Sequence, residues 1–169
     1  MYRSVKEPER PSQQGDLALL THPVAQELLH STNPARLAYS WHDGTPRVVP
    51  LWFHWTGEEV VLGTPLAAPK MKVLHDNTPV ALTIDSTPWP PKVLLIRGKA
   101  RVETVDGVAP EYAAAAERYF GQEQGRAWVE QVRGMWAHMA RIAIRPEWVG
   151  LLDFETRFPS AIEAAMAGA

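Results

Sequence analysis

The sequence contains no cysteine, which excludes disulfide bonds and metal sites built on thiolates. The net charge at pH 7 is only −2, so the composition gives no reason to expect nucleic acid or an anionic membrane surface as a partner. No apolar run approaches the roughly 18 residues of a membrane span, and the polar first residues lack the apolar core of a secretory signal. These absences predict a cytoplasmic protein of one domain, since 169 residues suffice for a single core.

The sequence also lacks the short patterns that mark many catalytic and metal sites. It has no Gly-x-Ser-x-Gly elbow, no glycine-rich phosphate loop and no pair of histidines at metal-binding spacing. The acidic pair Glu58-Glu59 lies in a predicted turn, where carboxylates are usually solvated. No catalytic residue and no metal site are therefore predicted, and an enzyme of this sequence would take its reactivity from a cofactor.

Composition divides the chain into three segments. Residues 1–16 are polar and are expected to form a flexible N-terminal arm. Residues 17–160 hold the periodic apolar patterns of a single domain, and the alanine-rich residues 161–169 are expected to form a frayed C-terminal tail. Within the domain, Thr21 is the expected N-cap of a first helix.

Alternating apolar residues predict about six antiparallel strands. The turn Asp43-Gly44 joins the first strand to “RVVPLWFHW”, and a turn at Thr56-Gly57 leads to “EEVVLGT”, which together predict a three-stranded meander. A helix-like segment at 67–76 is followed by “TPVALTID” and by a long strand that bends at Gly98. Two helical segments between 108 and 136, interpreted as packing elements, and a last strand complete a mainly β (α+β) antiparallel barrel with peripheral helices, because closure removes sheet edges.

Three polar residues predict an anion site at one rim of this barrel. Arg47 begins the second strand, Thr64 ends the third, and Lys70 opens the helix-like segment. The stagger of a barrel can bring such ends together, and several charge-assisted donors there would bind a phosphate. The alternative is that both cations are ordinary surface charges and that Thr64 is a strand-end hydroxyl.

The stretches “RLAYSWHDGTPRVVPLWFHWTGEEVVLGT”, “TPVALTID” and “VLLIRGKARVE” resemble the pyridoxamine 5′-phosphate oxidase-like, FMN-binding split-barrel family. The resemblance covers roughly residues 30–105 and extends more loosely through “RIAIRPEWVGLLDF”. It implies a six-stranded antiparallel split β-barrel and a homodimer with cofactor sites at the subunit interface. It also implies an oxidoreductase in which FMN exchanges hydride with a small organic substrate.

The same resemblance assigns roles to individual residues. Arg47 and Lys70 would contact the cofactor phosphate, and Thr64 would add a donor. Apolar walls for the ring would come from Trp52, Trp55 and Trp89, for which core or dimer packing is the alternative. The backbone that would follow the edge of the isoalloxazine ring belongs to Val48, Val49, Pro50 and Leu51.

The chain departs from the oxidases of this family at several positions. Pro69-Lys70 stands where the oxidases commonly have Arg-Lys, Trp52 stands where they have lysine, and their C-terminal Arg-x-His is absent. These differences predict that the chain is not a pyridoxamine phosphate oxidase, and they leave a deazaflavin coenzyme as an alternative to FMN. A further alternative is a non-catalytic protein that binds flavin or haem, with the possible axial ligands His54, His75 and His138.

Overall fold

The computed structural model of the protein describes residues 13–168. Seven strands form one antiparallel sheet in the order β2-β1-β5-β6-β7-β4-β3, which is not closed. The strands are β1 (Ala35–Ser40), β2 (Pro46–Leu51), β3 (His54–Trp55), β4 (Val60–Pro65), β5 (Thr78–Asp85), β6 (Val93–Asp106) and β7 (His138–Leu152). The predicted mainly β split-barrel fold with peripheral helices is therefore confirmed, with one short strand more than the six expected.

Four α-helices and two 3₁₀ turns complete the described chain. The helices are α1 (Pro23–Leu29), α2 (Pro110–Phe120), α3 (Gln122–Met135) and α4 (Ser160–Ala167), and the 3₁₀ turns are Leu17–Thr21 and Pro69–Lys72. The sequence predicted Thr21 as the N-cap of α1, and this prediction is wrong. Thr21 ends the first 3₁₀ turn, and the Nδ1 of His22 accepts the N–H of Val24 at 3.2 Å instead.

The predicted continuous strand “RVVPLWFHW” is interrupted at Trp52-Phe53. β2 pairs only with β1, whereas β3 pairs only with β4, and β4 pairs on its other side with β7 rather than with β2. The predicted three-stranded meander is therefore wrong. Since β2 and β3 lie at opposite edges of the sheet, the two residues between them carry the chain from one edge to the other.

The helix-like segment predicted at 67–76 forms only the 3₁₀ turn Pro69–Lys72. Pro69 lacks a backbone donor and Asn77 has a positive φ of 64°, so a longer helix does not form. The bend predicted at Gly98 is confirmed by a shift in the register between β6 and β7. A Cβ at Gly98 would lie 2.4 Å from the carbonyl oxygen of Arg145, so only glycine fits there.

The main hydrophobic core lies on the inner face of the curved sheet, beneath α1. Its largest fully buried side chain is Phe53, and leucine, isoleucine and valine from most strands surround it. A smaller cluster of Ala109, Val132 and Met139 joins α2 and α3 to β7. The helical hairpin is thus fixed beside the edge of the sheet that carries β3 and β4.

The described chain includes the end of the predicted arm and most of the predicted tail, and both assignments stay predictions. Gln14 donates its side-chain amide to the carbonyl of Leu151 and accepts the N–H of the same residue, both at 2.8 Å. Residues 1–12 of the predicted arm lie outside the described residues. The C-terminal residues form the exposed helix α4. Among the described residues, no helix is long and apolar enough to cross a membrane.

Candidate functional site

A cleft of about 420 Å³ lies where β2 and β4 end. Pro50 and Leu51 of β2 and Thr64 and Pro65 of β4 form one wall, and Pro34 and Gly63 complete it. The other wall consists of Trp52, Tyr112 of α2 and Trp136 at the end of α3. The volume is in the range of small-molecule sites. None of the residues that line the cleft carries a charge.

Trp52 lies at the centre of an aromatic cluster. Its ring stacks on Tyr119 with centroids 5.5 Å apart and planes at 21°, and it meets the edge of Phe120 at 4.6 Å. Tyr112 and Trp128 lie 6.1 and 6.4 Å away. Offset and edge-to-face ring pairs stabilise one another by about 0.5–1.5 kcal/mol beyond the burial of area. The indole of Trp52 is therefore held in one orientation by rings from α2 and α3.

Gly63 allows the helical wall to approach the sheet. A Cβ at this position would lie 2.7 Å from Cδ2 of Tyr112 and 2.9 Å from Sδ of Met139. The Tyr112 ring thus occupies the space over β4 that a side chain would fill. The Nε1 of Trp128 donates to the hydroxyl of Tyr112 at 2.9 Å, which fixes that ring from the other side.

Two polar residues at the end of β4 have no protein partner among residues 13–168. The hydroxyl of Thr64 lines the cleft, yet it makes no hydrogen bond, although the residue is only 3% exposed. Lys70, six residues later, is 9% exposed, and its side chain makes no hydrogen bond or ion pair among residues 13–168. Burial alone lowers the pKa of its ammonium group. A buried cation without a carboxylate is uncommon, since charge is costly to remove from water unless it is paired.

Arg47 lies near the start of β2, three residues before Pro50, the first residue of this strand in the cleft wall. It is exposed, and its guanidinium lies 5.5 Å from the ring centroid of Trp41. Val48 is 64% exposed, and Val49 packs partly against the core. The predicted cofactor-binding stretch therefore runs from an exposed strand start to the cleft, which Pro50, Leu51 and Trp52 line.

α2 is anchored by ionic and hydrogen-bonding contacts on both sides of the cleft. Glu111 accepts two hydrogen bonds from Arg141 of β7, at 2.6 and 3.1 Å, and these bonds lower the pKa of the carboxyl group. Arg118 donates to the carbonyls of Ser31 and Phe53. The hydroxyl of Tyr119 donates to the carbonyl of Asn33, next to the cleft residue Pro34. Sequence reasoning missed this role of the helices, although five aromatic residues between 112 and 136 were a signal.

The remaining predicted site residues lie elsewhere. Trp55 is buried in the main core at 8% exposure, whereas Trp89 is 85% exposed in the loop between β5 and β6. Their predicted roles as ring walls stay predictions.

Of the possible haem ligands, His75 is exposed and His138 pairs with Asp106 at 3.0 Å. His54 has a buried Nδ1 without a partner among the described residues, and desolvation, with the charge of Arg118, lowers its pKa. No group of potential ligands in the described part of the chain is arranged to hold a metal ion.

Comparisons with known proteins identify the family. No curated protein sequence matches the chain. Solved structures with the same fold include an F420 reductase, with 24% identity, a TM-score of 0.55 and coverage of 74% of this chain and 94% of that chain. An FAD- and haem-binding protein from Mycobacterium smegmatis has 18% identity, a TM-score of 0.58 and coverage of 88% and 78%. The haem storage protein from Vibrio cholerae has 17% identity, a TM-score of 0.54 and coverage of 78% and 93%.

At these identities the structural matches establish a shared fold. The family model described as pyridoxamine 5′-phosphate oxidase matches residues 21–152, which is most of the chain and includes the whole cleft. This chain therefore belongs to the pyridoxamine 5′-phosphate oxidase family.

Proposed function

We propose that this protein binds a flavin-type cofactor, FMN in the first instance, and uses it as an oxidoreductase that exchanges hydride with a small organic substrate. The single observation that carries this proposal is Lys70, a largely buried lysine whose ammonium group has no acidic partner among the described residues. A bound phosphate would supply the missing negative charge. Membership of an oxidoreductase family supports the same conclusion.

The residues around the cleft fit such a cofactor. Lys70 and Arg47 would hold its phosphate, and the free hydroxyl of Thr64 would donate a further hydrogen bond. The apolar wall of Pro50 and Leu51 suits a flat ring, and their strand supplies backbone groups along it. The cofactor supplies the hydride chemistry when it is bound, and the protein contributes position and exclusion of water.

The alternative roles would use much of the same site. A deazaflavin coenzyme also presents a flat ring and a phosphate, so it competes for Lys70 and for the cleft. A non-catalytic flavin-binding role uses the same residues without a substrate. Haem would need an axial ligand, for which His54 has a ring nitrogen without a partner among the described residues.

We further propose that the protein forms a homodimer with the cofactor at the interface. β2 is an edge strand whose outward residues Val48 and Pro50 are exposed, and Trp89 projects from its loop. Exposed apolar side chains on an edge strand favour association with another surface. Sedimentation of the purified protein with and without FMN tests this part of the proposal.

The decisive experiment is titration of FMN and of the deazaflavin coenzyme into the apo-protein, followed by fluorescence quenching. We expect Lys70→Met to weaken cofactor binding by about tenfold to a hundredfold, because a hydrogen bond to a charged group contributes about 1.5–3 kcal/mol. Lys72→Met is the matched control, since Lys72 lies in the same 3₁₀ turn but is exposed. Equal affinities of wild type and Lys70→Met would contradict the phosphate assignment, and failure of both cofactors to bind would contradict the function.

A further inference from the structure

We propose that the substrate of this site is an uncharged, planar, conjugated molecule that stacks in the aromatic half of the cleft against Trp52. This inference rests on the proposed function, because the molecule is taken to lie beside the cofactor ring. It assigns to the α2–α3 hairpin a role in selectivity that packing alone does not require.

The charge of the cleft is the first argument. All of its lining residues are uncharged, and their polar side-chain groups are the hydroxyls of Thr64 and Tyr112 and the indole N–H groups of Trp52 and Trp136. The hydroxyl of Tyr112 already accepts the N–H of Trp128. A carboxylate, phosphate or ammonium group in the aromatic half of this cleft would lose its hydration without gaining an ionic partner, which costs several kcal/mol. An uncharged molecule enters without that penalty.

The shape of the helical wall is the second argument. Trp52 and Trp136 line the cleft with indole rings, and prolines 34, 50 and 65 line it with small apolar rings. Trp52 cannot turn away, because Tyr119 stacks on it and Phe120 meets it edge-on. A rigid aromatic wall loses little conformational entropy on binding and favours a flat partner through stacking.

The positions of the charged groups provide the third argument. Lys70 and Arg47 lie outside the lining of the cleft, on the turn after β4 and at the start of β2. The cationic groups of the site are thus separated from its aromatic half. If the cofactor phosphate binds Lys70 and Arg47, no cation is left to attract an anionic substrate into the cleft.

A pair of fluorescent probes that differ only in charge tests this inference. N-phenyl-1-naphthylamine is uncharged, and 1-anilinonaphthalene-8-sulfonate has the same rings with a sulfonate. In the FMN-loaded protein we expect the uncharged probe to bind at least about tenfold more tightly than the sulfonate, which corresponds to about 1.4 kcal/mol. Trp52→Lys should weaken the uncharged probe and bring the two affinities together, because it replaces the stacking ring with a cation.

Controls separate a specific effect from a loss of folding. Met166→Ala removes an exposed apolar side chain of α4, far along the chain from the cleft, and should leave both affinities unchanged. If Trp52→Lys fails to give a cooperative thermal transition, Trp136→Leu serves instead, and we expect it to weaken the uncharged probe about tenfold.

The outcomes distinguish this inference from the proposed function. If FMN binds but the uncharged probe does not bind the FMN-loaded protein, or binds no better than the sulfonate, the substrate class is wrong and the cofactor assignment stands. If the uncharged probe binds the apo-protein selectively but neither FMN nor the deazaflavin coenzyme binds, the proposed function fails and the substrate role fails with it. Simultaneous binding of FMN and the uncharged probe, with loss in Trp52→Lys, supports both.

Discussion

The two walls of the cleft are built in different ways. The strand wall comes from one continuous stretch of chain between Pro34 and Pro65, held by the ladders of β1, β2 and β4. The helical wall joins Trp52 to Tyr112 and Trp136, which lie more than forty positions beyond β4, and is held by ring contacts and a few side-chain hydrogen bonds. The comparison teaches that the fold fixes the strand wall through its backbone, whereas the helical wall depends on side-chain packing and can vary more freely.

The largest expected effect comes from disrupting the contact between Gly63 of the strand wall and Tyr112 of the helical wall. Gly63→Val would place a branched side chain where the Tyr112 ring now lies, and we expect a loss of about 3 kcal/mol of unfolding free energy. The helical wall should also move away from β4, so the uncharged probe should bind less tightly. Urea unfolding and the probe titration measure the two effects. Unchanged stability would mean that the position of the Tyr112 ring does not require glycine at position 63.

Removing the anchor of α2 should have a smaller effect. Glu111→Gln leaves Arg141 without its closest carboxylate, and we expect a loss of about 2 kcal/mol at neutral pH. The folded-state pKa of Glu111 is lowered below 4.5, mainly by the Arg141 hydrogen bonds, so this stabilisation is present above that pH and is lost as the pH falls through the folded pKa. The difference between variant and wild type should therefore shrink in acid.

Glu130→Gln is the matched control for this prediction. Glu130 pairs with Arg133 on the exposed face of α3, and both side chains are more than half exposed. Such a pair contributes less than about 0.5 kcal/mol. If Glu130→Gln loses as much stability as Glu111→Gln, the loss comes from the change in net charge and not from the Glu111–Arg141 contact.

The turn that follows the strand wall can be tested by removing the charge of Lys70. Lys70→Met should raise the stability of the apo-protein by about 1 kcal/mol, because an apolar side chain replaces a largely buried lysine whose charge has no partner among the described residues. Burial lowers the folded-state pKa of Lys70 below its usual 10.5, so between these values the unfolded chain binds more protons and wild-type stability rises with pH. The advantage of the variant should be largest at neutral pH and should diminish towards the usual lysine pKa.

This prediction is checked by unfolding wild type and Lys70→Met across that pH range. A lysine that served only to pack the turn would be replaced without gain, so a lower stability of the variant at neutral pH would contradict the picture of a cation kept for a ligand. Lys72→Met, in the same turn but exposed, should change stability little.

The smallest expected effect stiffens the helical wall. Gly134 lies in the last turn of α3, and a Cβ there would meet no atom within 4 Å. Gly134→Ala should therefore raise unfolding free energy by about 0.5–1 kcal/mol through the lower entropy of the unfolded chain. Thermal unfolding measures the gain, and probe affinity should stay the same. A loss of stability would indicate a constraint on this turn.

Local patterns predicted much of the fold. Alternation, the turns at Asp43-Gly44 and Thr56-Gly57 and the bend at Gly98 depend on neighbours in sequence, and the structure contains all of them. The break at Trp52-Phe53 could not be predicted in the same way, because every residue of “RVVPLWFHW” suits a strand. The break follows from where β2 and β3 find partners, which is a property of the whole sheet.

The candidate site shows the same limit. Thr64 and Lys70 were predicted from their spacing after a strand, and both lie near the end of β4 as buried polar residues. Their binding role remains a prediction. The amphipathic pattern of α2 and α3 predicted that they pack, but it does not specify the surface on which they pack. The sequence therefore did not predict that Tyr112 and Trp136 line the cleft, and the aromatic content of the helices was the only local signal.

The two residues that join β2 to β3 have a consequence for how this fold can change. Phe53 is fully buried in the core, whereas its neighbour Trp52 lies in the cleft outside any strand. Because residue 52 lies outside the described strands, its substitution leaves the ladders of the described sheet in place and acts instead on the ring contacts with α2 and α3. Natural variation could thus diversify the ligands of this architecture through a single codon.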